Sequence, residues 1–161
     1  MSTQRSHVRF KALSRSAQRY LSQARVAHLA TTNAGGTAHV IPIVFAAESG
    51  RIYFVIDKKR KSANLRRLKN IERTGEATLL VDTYSEDWNK LSFLLLYAKA
   101  TILGKDRFFR EKRNAARLLK AKYPQYSEEG FFPDNLNDAI FVRLAEFKIA
   151  RWSQNLHRSL A

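Results

Sequence analysis

The chain has no cysteine. That excludes disulfides and thiolate metal sites, and it permits a cytoplasmic protein without requiring one. It is short of acid, with 14 Asp and Glu against 29 Lys and Arg, for a net charge of +15. Long apolar runs are missing too: the mostly apolar stretch Leu91–Ala98 falls well short of the roughly 20 residues a membrane-spanning helix needs. The first residues carry no apolar h-region of a signal peptide, so the expected location is the cytoplasm. They are Arg/Ser-rich and acid-free like a transit peptide, yet helical periodicity there argues for a structural element. No nucleophile elbow, P-loop, GxGxxG or paired carboxylate motif occurs, which leaves hydrolase and Rossmann readings without support.

What is present is a globular composition. Hydrophobic residues make up 45% of 161 residues and aromatics 11%, enough for one domain with its own core. The basic excess admits three partners: nucleic acid, an anionic membrane surface or a small polyanionic ligand. The cations are scattered over several segments without interleaved aromatic platforms, which speaks against nucleic acid. Few aromatics accompany the first basic helix, which speaks against a lipid surface.

In order, His7–Ala24 reads as an amphipathic helix, with Leu13, Ala17, Tyr20, Leu21 and Ala24 on one face. Val26–Thr32 and Thr37–Phe45 form a hairpin around Asn33-Ala34-Gly35-Gly36, where Asn and Gly supply positive φ. Pro42 cannot donate to a ladder and marks an edge or a bulge. His28 and His39 have no acidic or cysteine partner at ligand spacing, so no metal site is expected. Arg51–Ile56 is the third strand and Ala77–Thr83 the fourth, with a polar loop after it. Leu91–Leu103 is a long strand, expected to be buried on both faces, with part of it expected to serve a subunit interface. Asp106–Lys122 is a second amphipathic helix capped by Asp106 and ended by Tyr123-Pro124. Ala139–Ile149 is the last strand. Several short strands with two or three helices point to an antiparallel β-barrel or α+β domain.

The stretch Asp57–Ile71, DKKRKSANLRRLKNI, joins a strand end, a basic run and a helix start. Ser62 is suited to cap that helix, while Leu65 and Leu68 face a core. Free N–H groups beside clustered cations suit a phosphate or another compact anion. Charge-assisted hydrogen bonds at about 1.5–3 kcal/mol each would outweigh the dipole's roughly 0.3–1. The plainer alternative is a solvated turn followed by an ordinary cap.

The assembled order resembles the pyridoxamine 5′-phosphate oxidase-like, or FMN-binding, split β-barrel. The resemblance rests on LATTNAGGTAHVIPIVFA (Leu29–Ala46), the strand–basic loop–helix unit ending LRRLKNI, LLVDTYSEDW (Leu79–Trp88) and RWS (Arg151–Ser153). The last signatures look like the branch of oxidoreductases that use the deazaflavin coenzyme F420. It implies a mainly β, α+β split barrel of antiparallel strands with flanking helices, over residues 1–161 as one domain, and a homodimer with cofactor sites between subunits. It further implies that Lys58, Arg60, Lys61 and Ser62 bind the cofactor phosphate, and that Val40, Ile41, Pro42 and Ile43 lie along the ring. Arg67 would reach an acidic tail, and Trp88 and Trp152 would border the pocket. F420 is the coenzyme the resemblance favours, since its phosphodiester and polyglutamate tail match the basic excess, and FMN is the alternative. A flavin or haem carrier without turnover is the other reading, with His28, His39 and His157 as the residues that keep haem open. LSFLLLYAKA (Leu91–Ala100) departs from the branch in lacking the Arg and Trp expected there, and no catalytic acid is nominated.

Overall fold

The structure is a computed structural model that describes residues 13–57, 65–104, 108–128 and 131–153. Its frame is a seven-stranded sheet of order β2-β1-β5-β6-β7-β4-β3, with every neighbouring pair antiparallel. The strands are β1 (Ala27–Thr32), β2 (Ala38–Ile43), β3 (Ala46–Glu48), β4 (Arg51–Val55), β5 (Glu76–Thr83), β6 (Ser92–Leu103) and β7 (Phe141–Ser153). The two outermost strands, β2 and β3, are consecutive in the chain and separated only by Val44 and Phe45. The sheet therefore curls until its edges meet at that break, and Pro42 lies on edge strand β2 as its missing N–H requires. The expected strand Thr37–Phe45 is thus interrupted, because its chain changes partner from β1 to β4.

Three helices flank the sheet: α1 (Arg15–Gln23), α2 (Arg66–Thr74) and α3 (Phe109–Lys122). Helix α1 begins later than its hydrophobic period suggests, since Ser14 is extended and its hydroxyl accepts from the Ala17 N–H. Leu13, Ala17 and Leu21 are buried, with Tyr20 and Ala24 packed beside them. Helix α2 is capped by Leu65 with no side-chain bond, and Ser62, the expected cap, lies outside the described residues. Leu68 and Ile71 are buried, Leu65 packs beside them, and Gly75 closes the helix in the left-handed region at φ 65. Helix α3 starts after Phe108, likewise with no side-chain cap bond, and ends at Tyr123 ahead of Pro124; Asp106, the expected cap, lies outside the described residues.

Two apolar cores result. One fills the barrel with Leu29, Phe45, Phe54, Leu79, Leu94, Leu96 and Leu144, closed by α1 and α2. The other lies outside β4, where Tyr53, Val55, Leu103 and Phe141 meet Ala115, Leu119, Tyr123, Tyr126 and Phe132. Strand β4 is therefore the one buried on both faces. On β6, Leu94, Leu96, Ala98 and Ala100 are buried while Tyr97 and Lys99 are exposed, so the two-sided burial expected there is one-sided. The alternation follows strand period.

Helix α3 is fastened to the sheet by polar contacts as well. Glu111 accepts from Arg51 Nη1 at 3.2 Å, Tyr53 Oη at 2.9 Å and Arg143 Nη1 at 3.1 Å. Lys112, fully buried, donates to the carbonyls of Leu136 and Asn137 at 3.1 and 3.2 Å. These bonds hold the 131–140 segment against the helix. No helix among the described residues is long and apolar enough to cross a membrane.

Candidate functional site: a cleft at the strand break

The break between β2 and β3 leaves Phe45 without ladder partners on either side. Its N–H instead donates to Tyr123 Oη at 3.2 Å, and its carbonyl accepts from the same hydroxyl at 2.9 Å. Tyr123 Oη also lies 2.9 Å from the Arg25 carbonyl. One phenol thus satisfies the backbone where the sheet changes direction. Burial raises its pKa, against a lowering by the Phe45 backbone bond, so it stays protonated as the donor role requires.

Beside this break opens a cleft of about 390 Å³, within the roughly 300–1,000 Å³ range of small-molecule sites. Ile41, Pro42, Ile43 and Val44 form one wall; Phe54, Val55 and Asp57 at the end of β4 form the facing one, with Val26, Arg67 and Tyr126 completing it. Tyr126 Oη donates to Asp57 Oδ1 at 3.1 Å. Burial first, and the Asp57 charge second, raise the Tyr126 pKa well above its ordinary value, which keeps the proton on the phenol. Tyr126 is braced edge-on by Phe132 at 5.1 Å and by Tyr123 at 6.1 Å between ring centroids.

The cleft continues into a second chamber of about 390 Å³ that shares Val26, Val44, Asp57 and Tyr126 with it and adds Arg25, Tyr123, Gln125 and Phe131. The Arg25 guanidinium stacks 4.5 Å from the Tyr123 ring centroid and donates from Nη1 to the Lys122 carbonyl at 2.6 Å. Lys122 turns inward: its Nζ lies 4.0 Å from the Phe45 ring centroid and donates to the Leu21 carbonyl at 3.0 Å. Burial, and then the Arg25 charge, pull Lys122 down to about 8.

Of the residues expected at a cofactor site, Ile41, Pro42, Ile43 and Arg67 come together on this cleft. Lys58, Arg60, Lys61 and Ser62 lie outside the described residues, but Asp57 and Arg67, which flank them in sequence, both line it. Val40 is 57% exposed and lines neither chamber. Trp88 stands 66% exposed on a single 3-10 turn after β5, away from the cleft within one chain. Trp152 is on β7, in register with Phe93. His28 and His39 sit on β1 and β2 and line neither chamber; His28 Nδ1 is 3.6 Å from Asp82 Oδ1. Among the described residues no group of three or more His, Cys, Asp and Glu could hold a metal ion.

Sequence reading missed Arg25, Asp57, Tyr123 and Tyr126. The Tyr123-Pro124-Gln125-Tyr126 run reads locally as a helix stop, and nothing local announces that its rings face β2 and β4.

The walls suit a planar ring system. Two apolar strand segments face one another, an edge strand with a proline leaves backbone groups outside the ladder, and Arg67 brings a cation to the lining.

No protein-family model matches the chain, and no curated protein matches it in sequence. Solved structures do. A conserved hypothetical protein of Mycobacterium tuberculosis superposes with TM-score 0.66 at 16% identity, covering 95% of this chain and 91% of that one. HutZ, the heme storage protein of Vibrio cholerae, gives TM-score 0.63 at 14% identity over 89% of this chain and 95% of its own. A FAD-binding protein of Mesorhizobium loti gives TM-score 0.61 at 15% identity, covering 84% and 89%. An F420 reductase and a Listeria innocua protein assigned as a pyridoxamine 5′-phosphate oxidase share the architecture at 18% and 14% identity. The fold is a split β-barrel, the architecture that these structures share.

Proposed function

We propose that the chain is an oxidoreductase that binds F420 in this cleft, with FMN as the nearest variant, and works as a homodimer. One observation carries the reading: the residues on both sides of the Lys58–Ser62 run, Asp57 and Arg67, line a cleft whose other wall is the edge strand Ile41–Val44. A coenzyme lying there would have its ring between Ile41–Val44 and Phe54/Val55. Its phosphate would meet Lys58, Arg60, Lys61 and Ser62, and its acidic tail Arg67. The bound coenzyme supplies the hydride-transferring atom, and the protein supplies orientation, electrostatics and exclusion of water. Tyr126, held protonated by burial and Asp57, walls the ring without exchanging its own proton near neutrality. None of the described residues lining either chamber is His, Cys or Met, and the two tyrosine hydroxyls there are already bonded, Tyr126 to Asp57 and Tyr123 to the Phe45 and Arg25 carbonyls, which favours a flavin-type ring over a haem held by an axial ligand.

The partner is a second copy. Cross-strand register puts Pro42, His28, Leu80, Leu95 and Ala150 in one row, and Val40, Ala30, Thr78, Tyr97 and Lys148 in the next. These rows form the outward face, where Val40 and Tyr97 are exposed though large and apolar, a pattern that favours a protein interface. The edge of that face adjoins the cleft through Pro42, so a second copy would bring its own residues to the ring. Trp88 and Trp152 are the aromatics expected to border the pocket in that assembly.

Titration of purified protein with F420 and, separately, FMN tests the reading. Saturable micromolar binding of F420, with FMN weaker, supports it. An absorbance spectrum with a haem Soret band and no response to either coenzyme would replace it with the carrier reading.

A further inference from the structure

The second chamber remains unexplained by a coenzyme whose acidic tail reaches Arg67. Arg67 lines only the first chamber and Arg25 only the second, with Asp57 and Tyr126 shared between them. The chamber combines flat apolar surface with one cationic fork. Phe131 is 42% exposed at its mouth, although its neighbour Phe132 is buried. Among the described residues the Arg25 guanidinium donates one bond to the protein, Nη1 to the Lys122 carbonyl, and the rest of the fork is open to a ligand. Lys122 adds positive potential behind it. The one carboxylate present, Asp57, already accepts from Tyr126 Oη. Apolar faces for a ring, a planar donor fork at one end and a satisfied acid at the other define a shape and a charge.

We propose that the Arg25–Phe131 chamber binds the organic co-substrate, and that it selects planar conjugated carboxylates. The ring stacks against Phe131 and Tyr126, and the carboxylate pairs with the Arg25 guanidinium in the two-pronged geometry that lysine cannot reproduce. Its role as the co-substrate's chamber rests on the coenzyme reading of the adjoining cleft; the ligand chemistry itself does not.

The test uses the full-length chain and 2-naphthoate, whose fluorescence reports binding, with 2-naphthamide as the neutral isostere. Wild type is expected to saturate with naphthoate and to bind the amide at least tenfold more weakly. Arg25→Gln should lose tenfold or more for naphthoate and nothing for the amide, while Arg25→Lys recovers only part. Phe131→Ala, at an exposed position that leaves the fold intact, should weaken both ligands. Naphthoate binding unchanged in Arg25→Gln, or no saturable binding to wild type, overturns the proposal. F420 and FMN titrations of the same preparations separate the two claims. Coenzyme binding without naphthoate binding removes the chamber alone. Arg25-dependent naphthoate binding without coenzyme binding retains the ligand site and removes the oxidoreductase reading.

Discussion

At the scale of single residues, Tyr123 carries more of the site than any other side chain. Its hydroxyl joins Phe45 N–H, Phe45 carbonyl and Arg25 carbonyl within 3.2 Å, and its ring supports the Arg25 guanidinium. Tyr123→Phe keeps the ring but orphans buried backbone groups, each costing about 1–3 kcal/mol. Urea unfolding should show a loss of about that size, and a change under half of it would mean that water replaces the phenol. Lys122 makes a second prediction. Its folded pKa, about 8, lies below the ordinary 10.5, so between those values the unfolded chain binds the extra proton. Stability contributed at this site is therefore lowest below pH 8 and rises as pH increases toward 10.5. The difference in unfolding free energy between wild type and Lys122→Met should climb across that window. A flat difference would mean that the Phe45 ring and the Leu21 carbonyl offset the burial. Neither role was legible in the sequence. Tyr123 and Phe45 are 78 residues apart, and Tyr-Pro at a helix end carries a sufficient local meaning of its own.

At the scale of elements, period and turn chemistry were readable because each depends on neighbours. The Asn33–Gly36 turn closes through Thr37 N–H on Asn33 Oδ1 at 2.9 Å, and Leu68 and Leu119 face cores as their spacing predicts. Helix starts were less readable. Ser62 and Asp106 are good cap residues by type, yet α2 and α3 begin after Leu65 and Phe108. Packing against the sheet chooses the first turn there, and a side-chain cap worth about 1 kcal/mol does not overrule it. The join between α3 and the sheet depends instead on Glu111, whose side chain is 16% exposed and shared by Arg143 and Arg51. Glu111→Ala would leave Arg143 half-buried and unpaired. The expected cost lies between exposed and fully buried pairs, about 1–3 kcal/mol, read from denaturant midpoints. A loss below about 0.5 kcal/mol, the size of an ordinary surface effect, would mean that the apolar contacts of α3 suffice.

At the scale of the whole molecule, the curled sheet gives two products: an apolar outward face and a cleft where its edges meet. The first should hold a second copy. Leu95→Glu places a charge within the row Pro42–His28–Leu80–Leu95–Ala150, so size-exclusion with light scattering should move from dimer to monomer without loss of the circular dichroism of the fold. A wild-type monomer would contradict this face as an interface. Under the proposed function, the second product ties the basic excess of the chain to one ligand. The strand-then-basic-run pattern was visible in the sequence, but the opposite wall and the aromatic chamber were not, since they come from β2 and from the turn that carries Tyr126, 69 residues beyond Asp57. The most direct test is a fluorescence titration of F420 into wild type and into Lys58→Ala/Lys61→Ala, with FMN beside it. The account predicts saturable F420 binding, weaker binding of FMN, and a loss of about 100-fold in the double variant, from two charge-assisted contacts at roughly 1.5 kcal/mol each. Equal affinity in wild type and the double variant would contradict it.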